Sequence, residues 1–102
     1  MDIILHAHHA EVSDTLRTDA VNAVRRIAIR LHRVVDAVVR FVVDGNTRRV
    51  EIVLRGANTR DLFVHADARA FRSALAVAVH RLERQVASAR RSRRVALEDK
   101  SW

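Results

Sequence analysis

Apolar residues recur with two different periods along this chain, and the order in which those periods alternate limits the folds open to it. Asp2 to His9 alternates, with Ile3, Leu5 and Ala7 on one side and Ile4, His6 and His8 on the other. That pattern predicts a strand with one better-buried face. Ser13 then stands as an N-cap, with Asp14 placed to favour the helix dipole. Leu16, Ala20, Val24, Ile27 and Leu31 follow at spacings of four and three, which predicts a helix over 14–32. Val34 to Asp44 is rich in β-branched residues and ends at a turn, Asp44-Gly45-Asn46. Arg48 to Arg55 alternates cleanly: Val50, Ile52 and Leu54 oppose Arg49, Glu51, Val53 and Arg55. A second turn, Gly56-Ala57-Asn58-Thr59, leads to a strand with Leu62, Val64 and Ala66 inward and Phe63 and His65 outward. Phe71, Leu75, Ala78, Val79, Leu82 and Val86 mark one face of a second helix, over about 68–94.

The order is therefore β-α-β-β-β-α, an α+β chain. Two amphipathic helices each need an apolar surface, and a four-stranded sheet with both helices packed on one face supplies it. The turns at Gly45 and Gly56 predict antiparallel hairpins; the helix between the first two strands permits a parallel pair. With two glycines, no proline and no linker, the chain reads as one domain over 1–94. A short polar tail over 95–102 is expected to be disordered or a frayed extension of the second helix.

Charge narrows the partner. The chain carries 19 Lys+Arg against 12 Asp+Glu, a formal net charge of +7, and Lys100 is its one lysine. Arginine offers a planar fork of donors that fits phosphate oxygens and stacks on bases. A domain this small and this basic points to a polyanion. The absence of cysteine excludes disulfides and thiolate metal sites. The N-terminus lacks the features of a signal peptide, and no run approaches the roughly 20 apolar residues of a membrane span. The expectation is a cytoplasmic protein without a membrane or small-molecule partner.

The pattern resembles the ribosome hibernation-promoting factor and ribosome-associated inhibitor family over residues 2–91. The resemblance rests on the element order and on two stretches. Glu11-Val12-Ser13-Asp14-Thr15-Leu16-Arg17 looks like the family's entry into its first helix, and Arg81-Leu82-Glu83-Arg84-Gln85-Val86 is similar to its Lys-Leu-x-Arg-Gln-hydrophobic stretch. The chain departs from the family at Ala70-Phe71-Arg72-Ser73-Ala74-Leu75-Ala76, where two acids and a tyrosine are usual, and at Ala23 and Ser88, where lysines are usual. The resemblance implies a fold like that of double-stranded RNA-binding domains. It implies a short family member that binds the small ribosomal subunit, rRNA and ribosomal proteins alike, in the channel used by messenger and transfer RNA. Such a protein inhibits translation in stress and stationary phase, without catalysis or cofactor, and is expected to be monomeric when free.

The residues that would make such contacts are arginines on the predicted helices. Arg26, Arg30 and Arg33 share a face if the first helix reaches Arg33, and Arg25 lies beside them. Arg81, Arg84 and Arg91 project away from the second apolar stripe, and Arg90 extends the patch. With both helices on one face of the sheet, the two stripes are expected to form one basic surface for rows of phosphate. Cations late in a helix also stabilise its C-terminus, which accounts for one or two of them.

Other chemistry has less support. His6, His8 and His65 are candidates for one sheet face, but no carboxylate or cysteine is spaced to complete a metal site with them. There is no Gly-rich phosphate loop and no nucleophile motif. Glu51 and Asp67 are strand-associated and Asp36 and Glu83 are single acids near arginines, and each is expected to balance charge rather than move protons. Two alternatives to ribosome binding remain open at this stage. One is a general RNA- or DNA-binding module using the same basic face. The other is a homodimer that pairs sheet faces through Val38, Val42, Val53 and Phe63.

Overall fold

The structure, a computed structural model, describes residues 1–31, 33–57 and 60–99, with side chains described as far as Arg90. The elements follow the predicted order: β1 (Asp2–His8), α1 (Asp14–Ala28), β2 (Val34–Asp44), β3 (Thr47–Gly56), β4 (Leu62–Ala68) and α2 (Phe71–Asp99). The strands form one sheet in the order β1-β2-β3-β4. β1 and β2 are parallel, and the other two pairs are antiparallel.

Local chemistry explains the boundaries. The Ser13 hydroxyl accepts the Leu16 N–H at 3.1 Å and starts α1. Gly45, at φ +60, takes the first central position of the two-residue turn between Asp44 and Thr47, where positive φ matches the strand twist. The helix predicted over 14–32 ends earlier, at Ala28. There the N–H groups of Arg30 and Leu31 reach back only three residues, to the carbonyls of Ile27 and Ala28 at 3.1 and 3.0 Å. Arg33, at φ +67, turns the chain, and its carbonyl accepts the Ala57 N–H at 2.9 Å. The physical cause is the crossover: Val34 must enter the sheet opposite Gly56, so the last turn is given up. α2 begins at Phe71 rather than 68 and continues to Asp99, beyond the expected 94. The polar tail expected over 95–102 thus begins inside α2, and residues 100–102 lie outside the described residues.

Register places every second strand residue on the helix side. Leu5, Val39, Ile52 and Val64 form one inner row, and Ala7, Phe41, Val50 and Ala66 the next. Both helices cover this face: Leu16, Ala20, Val24 and Ile27 of α1, and Ala74, Leu75, Ala78, Leu82 and Val86 of α2, are buried with it in one core. Leu31, Phe71 and Val79, expected inside, are only partly buried at its margin.

Candidate nucleic-acid interface

The outer sheet face carries its own charge balance. Its rows are Ile4–Val38–Val53–Phe63, His6–Arg40–Glu51–His65 and His8–Val42–Arg49–Asp67. Asp36 and Arg55 sit opposite each other on β2 and β3, and the Arg55 guanidinium donates two hydrogen bonds to the carboxylate, the Nε one at 2.6 Å. Arg49 grips Asp67 in the same way, at 2.8 and 3.3 Å. Glu51 lies between Arg40 and Arg49, at 3.6 and 3.8 Å. Hydrogen bonds from the arginines hold the Asp36 and Asp67 carboxyls below the usual carboxylate range, and raise Arg55 and Arg49 in return. The acids expected to balance charge at 36, 51 and 67 therefore do so, whereas Glu83 enters none of the ion pairs among the described residues.

The helix side differs. Among the described residues, none of the ion pairs involves Arg25, Arg26, Arg30, Arg33, Arg84 or Arg90, and all six side chains are exposed. Topology gathers them. α1 crosses back over parallel strands, so its C-terminus lies where β1 and β2 begin. α2 returns along β4, with Arg81 at His65 and Gln85 at Phe63, so Arg84 and Arg90 come to the same end. At the opposite end Glu11, Asp14, Asp19, Asp44 and Asp67 offset Arg17, Arg48, Arg49, Arg69 and Arg72, leaving no net charge.

The stripes foreseen from sequence are not continuous. Arg30 and Arg33 lie beyond the end of α1, so the Arg26-Arg30-Arg33 stripe does not exist as a helix face. Arg25 and Arg26 leave α1 on flanks about 100° apart. Arg81 turns to the edge of the sheet, where its guanidinium donates to the His65 carbonyl at 2.6 Å; Gln85 donates to the Phe63 carbonyl at 3.2 Å. Arg90 follows Arg72 by five helical turns and leaves α2 on the same side. Arg91 lies within α2, but its side chain falls outside the described residues. Sequence reasoning missed the bond across the two helices, Arg72 to Asp19 at 3.1 Å, because nothing local relates residues so far apart.

The histidines do not assemble. His6 and His65 share a face and a row, but they occupy the two outermost strands, roughly 14 Å apart at the usual strand spacing. That separation is too great for two ligands of one ion. Among the described residues, no helix is long and apolar enough to cross a membrane.

The fold and this surface define a small basic α+β domain, with a neutralised sheet face and free arginines on its helix side. The sequence pattern of the family described as "Sigma 54 modulation protein / S30EA ribosomal protein" matches residues 3–94, and the chain belongs to that family. This is the hibernation-promoting factor family to which the sequence resemblance pointed. A ribosomal subunit interface protein from Coxiella burnetii has the same fold: TM-score 0.79 at 16% identity, over 88% of this chain and 98% of that one. The N-terminal domain of Thermus thermophilus Protein Y superposes with TM-score 0.72 at 25% identity, over 84% and 96% of the respective chains. No curated protein matches the chain by sequence.

Proposed function

We propose that this protein is a ribosome hibernation factor that binds the small ribosomal subunit in the channel of messenger and transfer RNA and so inhibits translation. It works in the cytoplasm, as a monomer when free, without catalysis and without a cofactor. The carrying observation is the contrast between the two faces. Arginines on the sheet are spent on Asp36, Glu51 and Asp67, whereas those at the strand-start end of the helix side are exposed and unpaired among the described residues. Unpaired guanidiniums at one end of a domain suit the phosphates of folded rRNA, and membership of a family described by a ribosomal protein supports that target. Occupying the channel excludes its other ligands by volume alone, so no reactive group is required. Of the proposed contacts, Arg25, Arg26, Arg30, Arg33, Arg84 and Arg90 have this support. Arg81 also holds the sheet edge, and Arg91 is retained on sequence grounds.

Co-sedimentation through sucrose gradients tests the reading. The wild-type protein is expected with small subunits, and it should reduce translation in a purified system. Arg26→Glu, Arg84→Glu and Arg90→Glu together should abolish both while leaving the melting temperature nearly unchanged, since the three side chains are exposed. Arg81 is left alone because of its bond to β4. Arg49→Gln, on the neutralised face, should bind as the wild type does. A triple variant that still travels with small subunits would place the interface elsewhere. A wild-type protein that binds RNA fragments but not subunits would make it a general RNA-binding module.

A further inference from the structure

We propose that the outer edge of β4, together with α2, is a site for one unpaired nucleotide of RNA, its base stacked on Phe63 and its phosphate held by Arg84 and the strand's N–H groups. The proposal rests on the ribosome-binding reading and deepens it, because duplex phosphates alone give no use for an exposed ring.

The chain has three phenylalanines, one tryptophan and no tyrosine. Phe41 is buried, and Phe71 packs edge-on against it with ring centroids 5.4 Å apart. Phe63 is instead 49% exposed, on the outer face of an edge strand. The His65 ring lies beside it, 5.8 Å away and tilted by 41°. Leaving an aromatic ring in water forgoes a large burial gain, whereas every base has a face that can cover it.

The backbone at this edge has an asymmetry of its own. The carbonyls of Phe63 and His65 are taken by Gln85 and Arg81. In an antiparallel strand the N–H and C=O of one residue point to the same side. The N–H groups of Phe63 and His65 therefore point outward beside carbonyls that are already answered. An incoming β-strand needs both donors and acceptors, so this edge is poorly suited to strand addition. A partner rich in acceptors, with a negative charge, is well suited. Phe63, His65, Arg81, Arg84 and Gln85 line one shallow concavity of ≈ 440 Å³ between the edge of β4 and α2. A stacking surface for the base thus lies beside N–H donors and a cation for the phosphate. A paired base offers no free face, so the ligand is single-stranded.

Binding of a fluorescently labelled six-nucleotide oligoadenylate, followed by anisotropy, tests this. Phe63→Ala should weaken binding roughly 5- to 100-fold, with the salt dependence unchanged. Phe63→Trp should restore it. An abasic hexamer with the same phosphates should bind Phe63→Ala and the wild type equally, and Arg84→Glu should weaken both oligomers. AMP alone should bind at least about 100-fold more weakly than the hexamer, since it lacks neighbouring phosphates. Hexamer affinity within twofold of wild type for Phe63→Ala, or an equal loss on the abasic strand, would overturn the proposal. AMP binding as tight as the hexamer would replace RNA by a free nucleotide. Co-sedimentation with small subunits is measured in parallel. Stacking without co-sedimentation sinks the ribosome reading alone, and co-sedimentation without stacking sinks only this one.

Discussion

Arg55 and Arg84 carry the same guanidinium in different surroundings. Arg55 is committed to Asp36 by two hydrogen bonds across adjacent strands, and Arg84 stands exposed on α2. The first kind of arginine links stability to pH. Hydrogen bonding to Arg55 and Arg49 depresses the folded-state pKa of Asp36 and Asp67 below the ordinary value. The unfolded chain therefore takes up these protons first as pH falls. The stabilisation is complete above the unfolded carboxylate pKa of about 3.9, and is lost as pH drops through the lower folded values. Urea midpoints measured from pH 6 down to about 2.5 should fall below pH ~4. Asp36→Asn with Asp67→Asn should start lower and lose part of that fall. Equal steepness in wild type and variant would mean that the two pairs contribute nothing. Both pairs are exposed, so the effect should be small and weaken with salt.

Among the elements, α2 does the most. Its apolar face closes the core over β3 and β4, its polar side carries Arg84 and Arg90, and its Arg81 and Gln85 cover the carbonyls of an open sheet edge. Leu82 is fully buried at its centre, so Leu82→Ala should cost about 2–5 kcal/mol, read from urea unfolding. Val77, on the same helix but 42% exposed, should change by no more than about 0.5 kcal/mol when made alanine. A Leu82 effect as small as that of Val77 would mean that α2 is packed differently. The contact between helices also gives physical content to the departures from the family pattern. Arg72 replaces the usual tyrosine and reaches Asp19 of α1. That ion pair bridges the two helices.

At the scale of the whole molecule, charge is sorted by position. One end is neutral, the outer sheet face is internally paired, and the excess of arginine lies where β1, β2 and β4 begin. Such a distribution orients the domain before contact and makes affinity depend on salt. For binding to small subunits, log affinity should fall linearly with log salt. Each phosphate contact removed by Arg26→Gln, Arg84→Gln or Arg90→Gln should reduce the slope by roughly 0.7–0.9, whereas Arg49→Gln should leave it alone. A slope that none of these three changes would remove the basic end from the interface.

The sequence by itself determined the element order, the inner residues of β3 and β4 and most of the core faces of both helices, because each follows from a period of two or 3.6 residues that is local to its segment. The turn at Gly45 and the cap at Ser13 were legible for the same reason. It did not determine where α1 stops, since Arg33 turns where its carbonyl meets the N–H of Ala57, just past the end of β3 and far along the chain. Nor did it separate committed from free arginines. Arg49 and Arg55 are neutralised by partners 18 and 19 residues away and Arg72 by one 53 residues away, while Arg81 is held by a hydrogen bond to a backbone carbonyl of the sheet edge. Periodicity decides which way a side chain points; only the register of strands and the packing of the two helices decide what it meets there.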